Sequence, residues 1–285
     1  MKTSKKVIVI TAGGTVESID SVRSIRNSSS GKLGSLIAEE MKSTWDDTEI
    51  IYLSNDMAIR PNIEHQWIET TSVLDVEAKI EELLKKQKVD IFIHSMAVAD
   101  YYVEGIETES GELIKTSSLL RNKLSSEDEQ VKVVLKKAPK IISRIKEWQP
   151  LTFLVGFKLL NETTEENLFD VGFNLLRKNR CNLVLANDLD LIRKGNHEGM
   201  FIYPEKKYEK VSGKESIAQH LSKVLFNRAF CHHSRSIQLS DEANVPNDIL
   251  NQMKITGEEL YVKGLLPNVE GGTYGNLSVR NEDDY

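Results

Sequence analysis

From residue 7 to about residue 230, short apolar runs rich in β-branched residues alternate with stretches whose apolar positions recur every three or four residues. Strands buried on both faces read as unbroken apolar runs, and the helices covering them carry one apolar stripe. The alternation therefore restricts the chain to an α/β fold, a doubly wound, mostly parallel Rossmann-like sheet. Strands are expected at residues 7–10, 49–53, 90–94, 131–135, 152–155 and 182–185, with helices at 32–42, 74–86, 168–178 and 217–226. Thr163-x-x-Glu166 and Ser212-x-x-Glu215 read as capping boxes at two of the helix starts. Residues 200–203 and 208–211 flank a Pro-Glu-Lys-Lys turn and predict an edge hairpin. Residues 101–130 break the rhythm. They are polar, serine-rich and long for a connection, which predicts a long lid or dimerisation loop. After residue 230 the chain turns irregular, and a short, mainly helical C-terminal extension is expected around one amphipathic stretch at 248–263. The expected domains are 1–230 and 231–285.

A chain of 285 residues holds one large domain, or one with an appendage. The formal charge of −6 is spread over mixed helical faces and leaves no basic footprint for nucleic acid. MKTSKK followed by only four strongly apolar residues lacks the core of a secretion signal, and no later run is long enough to span a bilayer, so no membrane partner is expected. Cys181 and Cys231 sit in no Cys-x-x-Cys or Cys/His pattern. That predicts no protein metal site and a reducing, cytoplasmic setting.

In open parallel sheets, ligands gather beyond the carboxyl ends of the strands. Those ends bring together Gly13, Gly14 and Thr15; then Met96, Ala97, Ala99 and Asp100; then Phe157 and Lys158; then Ala186, Asn187 and Asp188. Gly13-Gly14 allows positive φ and close approach of backbone N–H groups to an anion, although a glycine pair alone also reads as a tight turn. Its pairing with Ser28, Ser29, Ser30, Gly31 and Lys32 at a helix start favours a phosphate or carboxylate ligand. Between the two loops lie Arg23, able to grip an oxyanion in a fork, and Asn27, whose amide both donates and accepts. TAGGTVE is not Gly-x-Gly-x-x-Gly, and the second strand ends in the ambiguous Ser54-Asn55-Asp56. A dinucleotide-dependent oxidoreductase stays open on fold analogy alone, as does a non-catalytic nucleotide-binding scaffold.

TAGGTVESIDSVRSIRNSSSGKLG, MAVADY, Lys123-Leu124-Ser125-Ser126, LKKAPKII, VGFKLL and ANDL follow in that order over residues 5–226. This set resembles the phosphopantothenate–cysteine ligase family of coenzyme A biosynthesis. With no flavin-dependent decarboxylase half before it, the resemblance is to the stand-alone bacterial form. It implies that CTP or ATP activates the carboxylate of 4′-phosphopantothenate as an acyl-nucleotidyl anhydride, releasing pyrophosphate, and that the amine of L-cysteine then forms the amide. Asn27 would contact the acyl intermediate, and Lys123, in the lid, the triphosphate. Gly13, Gly14, Thr15, Met96, Ala97, Asp100, Pro139, Lys140, Ile141, Ile142, Phe157 and Lys178 would bind the nucleotide. Arg23, Ser28, Ser29, Ser30, Gly31, Lys32, Ala99, Asn187 and Asp188 would face the other substrates. Two departures stand out: one extra residue between Lys178 and Ala186, and Asn174 where fused relatives often carry lysine. The resemblance also implies Mg²⁺ accompanying the triphosphate, and a homodimer. Separately, GGTYGNLSVRNEDD resembles the opening of a class II aldolase or adducin-type domain, whose metal histidines would lie downstream of Tyr285.

Overall fold

A computed structural model describes residues 5–45, 47–120, 124, 129–230, 268–269 and 272–273. The chain divides into two compact units, Met1–His232 and His233–Tyr285. In the first the elements run β1 (Lys6–Thr11), β2 (Val16–Ser18), β3 (Ser24–Arg26), α1 (Lys32–Thr44), β4 (Thr48–Ser54), β5 (Gln66–Glu69), α2 (Val73–Lys86) and β6 (Ile91–His94). Next come β7 (Tyr101–Glu107), β8 (Leu113–Lys115), α3 (Thr116–Leu119), β9 (Lys132–Lys137), α4 (Ile141–Trp148), β10 (Phe153–Leu160) and α5 (Glu165–Lys178). The unit closes with β11 (Leu183–Asp188), α6 (Leu189–Arg193), β12 (Glu198–Ile202), β13 (Tyr208–Ser212), α7 (Lys214–Leu225) and a π-helical turn, Phe226–Phe230. In the second unit, Asn268–Val269 pairs antiparallel with Gly272–Thr273. The expected 248–263 helix lies outside the described residues.

The central sheet has the order β13-β12-β11-β10-β6-β1-β4-β5. Its pairs are parallel from β5 through β11, and β12 and β13 add an antiparallel edge hairpin. Successive side chains of a strand point to opposite faces, and here both faces are covered. Val9, Phe92, Leu154 and Val184 pack against Val76 and Ile80 of α2, Ile145 of α4 and Leu176 of α5. Their neighbours Ile8, Ile91, Val155 and Leu183 pack on the other face against Ile37 and Met41 of α1 and Leu221 and Leu225 of α7. This is the doubly wound arrangement that the unbroken apolar runs predict.

Several local expectations need correction. The strand at 131–135 is β9, and it belongs to a separate antiparallel sheet, β8-β7-β9, rather than to the central one. Much of the 101–130 stretch is therefore ordered strand and helix, folded on a small cluster of Ile106, Leu119 and Leu124. Helix α5 is capped by Thr164, whose Oγ1 accepts from Asn167 N at 3.2 Å, one residue later than the predicted box. Thr163 instead donates its N–H to Asp188 Oδ2 at 3.1 Å. The second box does not form: Ser212 ends β13, and Gly213, at φ 91°, occupies the N-cap of α7. Strands β10 and β11 also run further than expected, so Phe157, Asn187 and Asp188 lie within strands rather than beyond them.

Candidate functional site

Strand β1 has β4 on one side and β6 on the other, and the chain changes direction across the sheet between them. At such a switch point the loops leaving adjacent strands diverge and open a crevice. Here the loops after β1 and β6 first continue the ladder. Ser95 N donates to Thr11 O at 3.2 Å, Ala97 N to Gly13 O at 2.8 Å, and Thr15 N to Ala97 O at 3.1 Å. Above them opens a cleft of about 500 Å³.

The cleft is lined by Gly13 from the first loop and by Ser28, Ser29, Ser30, Gly31 and Lys32 from the approach to α1. Met96, Ala97, Ala99 and Asp100 follow β6; Pro139, Lys140, Ile141 and Ile142 open α4; Phe157 and Asn187 come from the sheet. Gly31 is the N-cap of α1 at φ 74°, a conformation that suits glycine, and it brings no capping side chain. The start of α1 thus presents its positive end to the cleft. Lys32, Lys140, Lys158 and Lys214 all line the cavity against one carboxylate, Asp100, which Lys140 pairs. Such a balance favours an anionic ligand.

Asn27 stands behind the cleft wall. Its Nδ2 donates to Ala97 O at 3.1 Å and its backbone N–H to Thr15 O at 3.2 Å. Gly14 permits this: a Cβ there would come within 2.3 Å of Asn27 O. Arg23 and Asp188 make internal contacts. Arg23 Nε donates to Asp20 Oδ2 at 2.9 Å and its Nη2 to Leu124 O at 3.3 Å. Asp188 accepts N–H groups of Glu162, Thr163 and Asp190 at 3.0, 3.1 and 2.9 Å, and these hold its carboxyl below the ordinary range. Gly14, Thr15, Arg23, Asn27, Lys178 and Asp188 are not among the residues that line the cavity, and Lys123 lies outside the described residues.

Sequence reasoning did not place His94, Ser95, His197 or Lys214 in the cleft. His94 ends β6 at the floor, its Nδ1 2.9 Å from Thr11 Oγ1, and burial pushes its pKa down to about 4. A histidine depressed from 6.5 stays neutral in the folded chain while the unfolded chain takes up a proton. Stability is therefore full above pH 6.5 and falls as pH drops toward 4. Between pH 6.5 and 5 the loss from this group should be about 2 kcal/mol. Urea midpoints across this range should fall less steeply for His94→Gln than for the wild type, and parallel slopes would contradict the assignment. His197 and Lys214 enter through β12 and α7, where Gly213 N donates to His197 O at 2.8 Å. Among the described residues no group of three or more His, Cys, Asp or Glu side chains could hold a metal ion. No described helix is long and apolar enough to cross a membrane.

A family model described as the DNA/pantothenate metabolism flavoprotein C-terminal domain matches residues 3–228. The coenzyme A biosynthesis bifunctional protein CoaBC of Thermococcus kodakarensis is 33% identical over 187 residues, covering 65% of this chain and 41% of that protein. Its Methanocaldococcus jannaschii counterpart is 30% identical over 217 residues, covering 75% and 49%. The chain thus spans less than half the length of these curated relatives. Among solved structures, the DNA/pantothenate metabolism flavoprotein of Streptococcus pneumoniae superposes with a TM-score of 0.68 at 36% identity, covering 78% of this chain and 99% of that one. The C-terminal domain of a CoaBC protein, at 24% identity and a TM-score of 0.58, shares the fold. The chain belongs to the DNA/pantothenate metabolism flavoprotein C-terminal domain family.

Proposed function

We propose that this chain is a phosphopantothenate–cysteine ligase of coenzyme A biosynthesis. The observation that carries the reading is the position of Asn27. Its side chain is hydrogen-bonded to the 96–100 loop, and its own loop leads straight into the serine-rich start of α1. A carboxylate to be activated and a nucleotide to activate it must meet where two anion-friendly elements converge, and this is such a place. The names of the CoaBC relatives and the family description support it.

In this reading the carboxylate oxygen of 4′-phosphopantothenate attacks the α-phosphorus of CTP or ATP. An acyl–O–P bond forms and pyrophosphate leaves. The cysteine amine then attacks the acyl carbon, the amide forms with loss of a proton, and the nucleoside monophosphate leaves. Both steps gather negative charge on oxygen, so donors already in place lower the barrier. Gly13 and the 96–100 loop receive the nucleotide, with Pro139, Lys140, Ile141, Ile142 and Phe157 enclosing it. Ser28, Ser29, Ser30, Gly31 and Lys32 hold the phosphorylated acid, and Lys123 reaches the triphosphate. Mg²⁺ fits as an ion arriving with the triphosphate, because it keeps water and phosphate oxygens as ligands and asks for only one or two carboxylates. Asp100 is the carboxylate at the cleft that would meet it, and the ion would neutralise phosphate charge. A homodimer in the cytoplasm and a separate extension at 231–285 complete the proposal.

The test is direct. Incubation with 4′-phosphopantothenate, L-cysteine, Mg²⁺ and CTP, or ATP in parallel, should yield the amide and pyrophosphate in equal amounts. No amide with either nucleotide would overturn the reading. Gly14→Ala should lower turnover by about tenfold, because its methyl displaces the Asn27 carbonyl and tilts the acyl-facing loop. A wild-type rate in that variant would show that the close approach of these loops is dispensable.

A further inference from the structure

The loop after β4, residues 55–59, touches both anion-friendly loops of the cleft, yet none of its residues lines the cavity. Asn55, the first residue after that strand, is 7% exposed and uses both ends of its amide. Its Nδ2 donates to Gly14 O at 2.6 Å, and its Oδ1 accepts from Met57 N at 3.0 Å. A carbonyl on one side and an N–H on the other leave only one way for the amide to face. In dinucleotide-binding folds this end of the second strand supplies an acid to a ribose; here the place is taken by a donor turned inward onto the glycine loop. The far end of the same loop holds the start of α1. Ile59 N donates to Ser30 O at 2.9 Å, and Ile59 O accepts from the hydroxyl of Tyr52, a fully buried residue of β4, at 3.0 Å. Between the two ends lies Ala58, whose methyl packs on both loops. A Cβ on Gly13 would come within 2.7 Å of it, and one on Gly31 within 3.2 Å.

We propose that Asn55 is a positioning residue, the end of a brace that fixes the separation of the glycine loop from the serine-rich start of α1. On the ligase reading, on which the inference rests, that separation is the reach between the nucleotide and the acid it activates. Gly14 is packed against Asn27 O as well, so a shift of the carbonyl that Asn55 holds passes to the Asn27 loop. Each loop keeps its own shape without the brace. The glycine loop stays tied to the 96–100 loop through Thr15 N and Ala97 N, and α1 begins with Ser35 N donating to Gly31 O at 3.0 Å. Loss of the brace therefore leaves two binding loops intact and misplaces one against the other.

Asn55→Asp keeps the size of the side chain and the acceptor for Met57 N, and sets a charged oxygen against Gly14 O. We expect single-turnover formation of the acyl-nucleotide to slow by about tenfold to a hundredfold, the range for a slight misplacement of reacting groups. Binding of the nucleotide alone, read by calorimetry, and the KM for 4′-phosphopantothenate should stay near those of the wild type. A loss of affinity that matches the loss of rate would make Asn55 a structural residue only, and so would overturn the proposal. Ala58→Gly removes the spacer and no hydrogen bond. It should slow the same step to a smaller extent, and a wild-type rate in either variant would overturn the brace. Amide hydrogen exchange over residues 56–59, read by mass spectrometry, tests the brace independently of turnover. It should accelerate in Asn55→Asp, and unchanged exchange overturns the brace. A wild-type chain that forms no amide would instead remove the ligase reading.

Discussion

On the ligase reading proposed above, Asn27→Asp should cut amide formation by on the order of 10²- to 10³-fold, the typical cost of removing one preorganised donor from an acyl-transfer site. The side-chain nitrogen now gives its hydrogen bond to Ala97 O at 3.1 Å. Aspartate would set a charged oxygen against that carbonyl oxygen, and it would add negative charge where an acid and a triphosphate must already coexist. On that reading the first half-reaction should suffer less than the second, since the proposal gives the nucleotide to the other loops. Quenched single-turnover reactions should then show acyl-nucleotide accumulating ahead of the amide. Normal turnover with no accumulation would remove Asn27 from the mechanism.

Phe92→Ala should destabilise the chain by about 3–5 kcal/mol, the usual range for emptying a fully buried aromatic site. Phe92 is wholly inaccessible at the centre of β6, in register with Val9 of β1 and Leu154 of β10. The same strand carries His94 to the cleft floor two residues later. A urea titration should show a lower midpoint with an unchanged slope. A shift below about 1 kcal/mol would mean that the sheet repacks around the cavity.

The strands covered on both faces were legible because burial on two sides leaves no room for polar alternation. Strand β5 was missed for the opposite reason. Gln-Trp-Ile-Glu is a short edge strand with exposed residues at both ends. Strands β7 and β8 were misread as part of a long loop because the open side of their sheet carries charges; Lys132 of β9 pairs with Glu107 of β7 and Lys136 with Glu104 across the strands. The displaced cap of α5 turns on Asp188, distant in sequence, which claims the N–H of Thr163 and leaves the adjacent threonine to cap.

At the site, the loops after β1 and β6 were legible from glycines and from the rule that ligands gather at strand ends. Arg23 reads in sequence as a free fork, yet its guanidinium faces Asp20, three residues earlier in the same turn. His197 and Lys214 carry no local signal at all. They reach the cleft only because the β12–β13 hairpin returns the chain to it, and that return is a property of the topology.

The floor of the cleft is sealed by a contact between Thr11 and His94, residues 83 apart in the chain. Closing so long a loop gives nothing back until the intervening helices have packed, and contacts of this separation slow folding. During synthesis the first strand must wait for its neighbour β6, and the remaining wall of the cleft waits for β10 and β11. The complete cleft is thus a late acquisition of the growing chain. A nascent fragment ending before β10 would carry both glycine loops with only part of the cleft for a ligand to enter.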